Sequence, residues 1–358
     1  MIRTLIAALS AIMIIGLGGC ATPSTPATES NANATTTAEA STAQSEDASS
    51  EDNSASTVQQ LNAIVPQTMA FGAPMATYGD NGFVDKITKK HTVSNWDSVE
   101  QLKGALINGE AELAATPAYV AANLYNKGVD IRLVGPVVWG MLYVLGPADA
   151  TPGDWNALKG KKVAITSPNN MPDLVFTYLL QQNGLSKDDI IPVNTEDGQQ
   201  AMQLFLSGEV EWVLMPEHAV TITESKAKEQ GINTKRVFDL QDEWAKVTGK
   251  TSRFPMAGLV MPGKIVDEHP EAVQAVIDEV KAGVEKANVG DPEAIKAIAQ
   301  HYDLPEPVVT SVIPRLQLEM VPASEARAEY EDFLMRLGEV SPDIYGGKLP
   351  DDAFYAGK

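Results

Sequence analysis

Side chains able to make or break bonds are sparse in this chain of 358 residues. Its sole cysteine, Cys20, ends the run Leu17-Gly18-Gly19-Cys20, and the histidines His91, His218, His269 and His301 lack metal-ligand spacing. No Gly-x-Ser-x-Gly elbow, phosphate-binding Walker loop or His-Glu-x-x-His pair occurs. What remains suits reversible contact. Trp96 and Trp139 can stack on a planar solute. The short runs Asn95-Trp96, Thr116-Pro117-Ala118, Ser167-Pro168-Asn169-Asn170-Met171 and Pro216-Glu217-His218 gather hydroxyl, amide, carboxylate and imidazole groups. Each also has an ordinary explanation. The tryptophans suit core packing, Asn170 can cap the helix that Pro172 begins, Asp173 can answer its dipole, and His218 can be a polar residue of a first helical turn.

These runs recur at matching places. Asn108 to Ala121 (NGEAELAATPAYVA) and Ser207 to Val220 (SGEVEWVLMPEHAV) align without a gap at an offset of 99, pairing Gly109 with Gly208, Glu110 with Glu209, Glu112 with Glu211 and Pro117 with Pro216. An amphipathic helix precedes each copy, through Val99, Leu102 and Leu106 in one and Ala201, Leu204 and Phe205 in the other. The glycine suits a helix C-terminus, a short apolar strand follows, and the proline suits the first turn of the next helix. All α/β proteins use such units, so the match admits chance as well as true equivalence. If equivalent, the copies imply two lobes, each a sheet flanked by helices. Ligands of open sheets bind beyond the carboxyl ends of the strands, where helix starts present free N–H groups.

The remaining pattern fits an α/β fold of two such lobes. A strand with its loop is expected in 64–73 and in 91–96, and strands in 161–166, 190–194, 210–215 and 236–240, with a helix over 172–183 closed by Gly184. The β-like stretch 130–147 is too long for one strand and is read as two, joined by a crossover between lobes at Trp139-Gly140. Met256 to Met261 is read as the return crossover. Helices near 270–284, 291–302, 305–313 and 323–337 would pack back on the first lobe.

The amino-terminal part reads as an address. Arg3, the apolar run to Leu17 and the small residues before Cys20 form an export signal over 1–19. Residues 20–58, rich in Ala, Thr, Ser and Asn, form a disordered tether. The lobes are then 59–139 with 260–358, and 140–259. A net charge of -20 argues against a nucleic-acid partner, and no second apolar segment is long enough to span a bilayer.

Several segments resemble type II periplasmic solute-binding proteins of the nitrate/sulfonate/taurine class, which includes receptors for thiamine pyrimidine precursors. They are GEAELAATPAYVAANLYNKG, WNALKGKKVAITSPNNMPDLVFTYLLQQNGL, SGEVEWVLMPEHAVT, PMAGLVMPGKIVDEHPEAV and GGKLPDDAFY, spread over residues 66–355. Leu-Gly-Gly-Cys likewise resembles a bacterial lipobox, implying lipid on the Cys20 sulfur. The resemblance implies a type II periplasmic-binding-protein fold with two hinge crossovers. It also implies one solute captured in the cleft and passed to an ABC permease with its ATPase, by a monomer facing the periplasm or cell exterior. No metal or cofactor is expected from the scattered histidines and missing motifs, although the same fold also hosts catalysts. By family position, Gly72-Ala73-Pro74-Met75 joins the loops named above as a ligand contact, and Trp139 is a candidate floor.

Relatives that take sulfonates or oxyanions use hydroxyls and bare amides. Here Asp173 and Glu217 stand at those edges and no Lys or Arg lies in the loops, so a carboxylate would oppose an anion. That weakens the anion reading without removing it, and a neutral or cationic heterocycle walled by Met75, Met171, Met215 and Trp96 suits the loops at least as well. The alternatives are an enzyme on the same fold acting on a small heterocycle, and a lipoprotein that senses a solute.

Overall fold

A computed structural model describes residues 58–357. The export signal, Cys20 and nearly all of the tether lie outside the described residues.

The strands are β1 (Ala63–Pro66), β2 (Val93–Trp96), β3 (Leu113–Pro117), β4 (Ile131–Val138), β5 (Leu142–Pro147), β6 (Lys162–Thr166), β7 (Ile191–Thr195), β8 (Trp212–Pro216), β9 (Thr234–Asp239) and β10 (Ala257–Pro262). The helices are α1 (Met69–Gly72), α2 (Val99–Asn108), α3 (Ala118–Asn126), α4 (Met171–Gln182), α5 (Gly198–Leu206), α6 (Glu217–Glu229), α7 (Leu240–Thr248), α8 (Gly263–Glu268), α9 (Pro270–Asn288), α10 (Pro292–Tyr302), α11 (Glu306–Val312) and α12 (Ala323–Val340).

Two five-stranded mixed sheets result, in the orders β2-β1-β3-β10-β4 and β7-β6-β8-β5-β9. They are built alike. In each, a strand arriving from the other sheet enters antiparallel as the fourth member: β10 between β3 and β4, β5 between β8 and β9. The flanking helices keep the same order, α2 and α3 around β3, α5 and α6 around β8. The 99-residue repeat read in the sequence is therefore matched in topology. Gly109 and Gly208 each end a helix at positive φ, 69° and 77°, the left-handed state that only glycine adopts without strain. Pro117 and Pro216 are the last residues of β3 and β8 and cap the next helix by position, one residue earlier than expected.

Local chemistry fixes these helix starts. Ser98 accepts from the Gln101 amide at α2, and Asp197 from the Gln200 amide at α5. The central strands β3 and β8 are buried along their apolar run, as strands covered on both faces must be.

Three expectations need correction. Residues 256–261 are not the return crossover: β10 lies inside the first sheet, and its register with β3 and β4 satisfies its backbone. The chain crosses back earlier, between α7 and β10. Residues 69–75 are not an open loop after β1 but coil at once into α1 and a 3-10 turn over Ala73–Met75. The carboxyl-terminal helices do not pack on the first sheet alone: α12 rests on both β4 and α4, and α11 on α6.

Candidate functional site

The carboxyl ends of the two sheets face each other across a cavity of about 620 Å³. Its walls come in matched pairs. The ends of β1 and β6 supply Pro66, Gln67, Thr68 and Phe71 on one side, and Thr166, Ser167, Asn170, Met171 and Pro172 on the other. The turns before α2 and α5 supply Trp96, Asp97 and Val99 against Glu196, Asp197 and Gly198. The starts of α3 and α6 supply Pro117, Tyr119 and Val120 against Pro216 and His218. Met141 and Met256, one from each crossing, complete the lining.

The crossings are tied to the helix starts in the same symmetric way. The Ala118 amide donates to the Met256 carbonyl at 3.0 Å, and the Glu217 amide to the Met141 carbonyl at 2.8 Å. Those two helix-start amides are thus already used. Trp96 spends its indole N–H on the Ala115 carbonyl at 3.0 Å, so its ring is held at the wall. Tyr119 donates to Asn170 Oδ1 at 2.8 Å, joining the first sheet's edge to the second's across the cleft. Burial lifts the Tyr119 phenol to about 12, which keeps it a donor.

The cavity is acidic at its rim and holds no base of permanent charge: Asp97, Glu196 and Asp197 line it, and no Lys or Arg does. Two of its polar groups are unused. Thr166 Oγ1 and His218 Nδ1 are covered atoms without a hydrogen-bond partner. An unpaired buried polar group costs about 1–3 kcal/mol, a deficit that a bound solute can offset. Desolvation pushes the His218 pKa down to about 4, so the ring is neutral at pH 7.

Of the candidate contacts named from sequence, Trp96, Pro117, Ser167, Asn170, Met171, Pro216 and His218 line the cavity. The others do not. Gly72, Ala73, Pro74 and Met75 are displaced by the early coil after β1: Gly72 packs so closely on Tyr302 that a Cβ would sit 1.5 Å from its hydroxyl, and Met75 is in the core. Asn95 alternates away from Trp96 along β2 and meets His301 at 3.3 Å. Thr116 is fully buried within β3.

Trp139 is no floor, because its indole donates to the Glu319 carbonyl at 2.8 Å under the Arg253 guanidinium. Asn169, at φ 62°, gives its amide to Asp173 Oδ2 at 2.8 Å. Met215 belongs to the core of the second sheet. Glu217 is completely buried and ion-paired with Arg236 and Arg315. Asp173 is paired with Lys187, so neither carboxylate invoked against an anionic ligand faces the cleft. The acidic character comes instead from Asp97, Glu196 and Asp197. Asn170 sits at the N-cap position of α4 without capping through its side chain, which serves Tyr119.

Sequence reading missed Phe71, Tyr119, Met141, Thr166 and Met256. The repeat held the signal for Tyr119, since the offset of 99 that pairs Pro117 with Pro216 also pairs Tyr119 with His218. Among the described residues, no cluster of three His, Cys, Asp or Glu side chains is placed to hold a metal, and no helix is long and apolar enough to cross a membrane.

A family model described as menaquinone biosynthesis matches residues 83–330. No curated protein matches the chain. Solved structures do. An ABC transporter protein from Parabacteroides distasonis superposes with a TM-score of 0.68 at 24% identity, covering 84% of this chain and 100% of that one. The periplasmic aliphatic sulphonate binding protein SsuA of Escherichia coli gives 0.64 at 16% identity, covering 84% and 92%. The periplasmic nitrate-binding protein NrtA of Synechocystis PCC 6803 gives 0.56 at 14% identity, covering 80% and 84%. At these identities the likeness establishes the fold, that of the periplasmic binding proteins named by the sequence motifs. The matching family model, by contrast, is described by a biosynthetic route.

Proposed function

We propose that this chain, which belongs to the menaquinone biosynthesis family, works as a solute receptor: it captures one small ring-bearing molecule, neutral or cationic, between its sheets and delivers it to an ABC importer. The observation that carries the reading is the cavity itself, walled in matched pairs by two like sheets and furnished with stacking rings, methionines and unpaired polar atoms. The solved proteins of this fold described as ABC transporter or periplasmic binding proteins support it. So does the amino-terminal signal, which would place the protein in the cell envelope, held to a membrane by lipid on Cys20 through the tether. The acidic rim and the lack of any Lys or Arg in the lining favour an uncharged or positive solute over a sulfonate or nitrate.

In the mechanism, the open form exchanges solute with its surroundings. Contacts from both walls then favour the closed form, in which Tyr119 and Asn170 meet. The segments around Met141 and before Met256 are the places where the chain passes between sheets, and their dihedrals absorb the change.

One observation favours a second reading. The family is described by biosynthesis, and His218 is a neutral base within the cleft, so an enzyme acting on a small ring compound would use the same cavity. A thermal-shift screen of the full-length chain against uracil, indole, tyramine, taurine and nitrate, followed by chromatography of the recovered compound, separates the readings. The receptor raises its Tm with uracil, indole or tyramine and returns the compound unchanged. A product peak removes the receptor reading in favour of the enzyme, and a screen in which nothing shifts the Tm removes both.

A further inference from the structure

The cavity does more than admit a ring. Of its lining residues, two carry covered polar atoms that no protein group satisfies, Thr166 Oγ1 and His218 Nδ1. They lie on one wall. β6 and β8 are parallel neighbours in register from Val163 opposite Trp212 to Ile165 opposite Leu214. Thr166 therefore ends its strand beside the turn that carries His218. The opposing wall brings Phe71, Trp96 and Met256 as its apolar surface, beside Gln67, Thr68 and Asp97. A flat solute held against that wall presents its edge to the threonine and the imidazole.

The surroundings decide what that edge can be. Arg236 on β9 and Arg315 after α11, the cations packed against α6, are both committed to Glu217 and leave no positive charge for an anion. Tyr143 on β5 lies under Arg236 and reaches the Arg315 carbonyl. From across the cavity come Tyr119, tied to Asn170, and Asp97; from the start of α5 come Glu196 and Asp197. Every full charge in the lining is negative. A hydroxyl can both donate and accept, and a neutral imidazole does one at each nitrogen.

We infer that His218 and Thr166 form the polar anchor of the cleft and select a solute whose inner edge is an uncharged ring bearing N–H, C=O or O–H groups. The inference rests on the receptor reading above. Burial supports it, since an imidazole so desolvated resists protonation. The imidazolium form would lose its acceptor nitrogen, so binding weakens as the pH is taken from 7 toward 4.

Titration calorimetry of the full-length chain tests this, with uracil and tyramine as uncharged-edge probes and taurine and nitrate as anions. The expected result is that uracil or tyramine binds and the anions do not. His218→Phe and Thr166→Val each lower that affinity at least tenfold, while His218→Gln, which keeps a donor and an acceptor, retains part of it. Thr166→Val removes one hydroxyl at nearly constant volume and so guards against a misfolded histidine variant. The anchor is overturned if both Thr166→Val and His218→Phe bind the probe as the wild type does, or if taurine or nitrate is preferred. If no compound of either class binds, the receptor reading itself fails, which is a different outcome from binding that ignores these two residues.

Discussion

Burial holds the His218 pKa at about 4, below the ordinary histidine value of 6.5, and this has a consequence for stability. The unfolded chain takes up a proton as pH falls through 6.5, whereas the folded chain resists until about 4. Stability is therefore undiminished by this group above pH 6.5 and is lost progressively between 6.5 and 4. Urea midpoints measured across that window should fall in the wild type and fall less in His218→Gln. Parallel slopes would remove the effect. Glu217 makes a different claim. Completely buried and paired with Arg236 and Arg315, it holds the first turn of α6. Arg236 would keep Glu224 and Arg315 is half exposed, so Glu217→Gln costs the lost charge-assisted hydrogen bonds, about 1.5–3 kcal/mol in urea unfolding. A loss under about 0.5 kcal/mol, the range of an exposed pair, would show that the buried ion pair does not hold α6. Trp96→Ala should weaken solute binding and also lower the urea unfolding midpoint, because the ring lines the cavity yet is buried and donates to the Ala115 carbonyl. Glu217 also marks the limit of reading residues from sequence. Its place in the repeat points to the cleft edge, yet partners 19 and 98 residues away turn its carboxylate inward. Pairings over such separations leave no local trace in a single sequence.

Elements were more legible than residues. Periodicity, glycines at helix ends and prolines at strand ends all act within one turn of chain, so the strands and helices of both repeat copies could be placed. The gap-free offset of 99 also pointed to paired cleft walls, which the fold provides through β3 and β8. What escaped was membership of a sheet. Met256 to Met261 reads the same whether it crosses between lobes or inserts as a strand, and only the gap between β3 and β4, unseen in sequence, decides it. The same local physics yields a paired test. Gly208 ends α5 at φ 77° with open space around its Cα, so Gly208→Ala is penalised by backbone strain alone, about 1 kcal/mol. Gly104 lies inside α2 with equally open space, and Gly104→Ala should stabilise by about 0.5–1 kcal/mol. Unfolding midpoints that move in the same direction for both would contradict the assignment of left-handed geometry to Gly208.

At the scale of the molecule, two like sheets and two crossings are bridged by carboxyl-terminal helices that touch both halves, and the proposed capture requires the cleft between the sheets to open. α12 spans β4 and α4, with Arg336 donating to the Tyr178 hydroxyl at 2.6 Å, and α11 meets α6 near the Arg315–Glu217 pair. In the proposed cycle opening slides these contacts, and Tyr119–Asn170 is the bond made on closure. The central claim is that this motion captures a solute and lets it go unaltered. The most direct measurement is equilibrium dialysis of the full-length chain against uracil and tyramine, with mass spectrometry of what is released on denaturation. The account predicts one molecule of ring compound per chain, recovered with its mass unchanged. A mass changed in step with incubation time, or no retained compound at all, would contradict it.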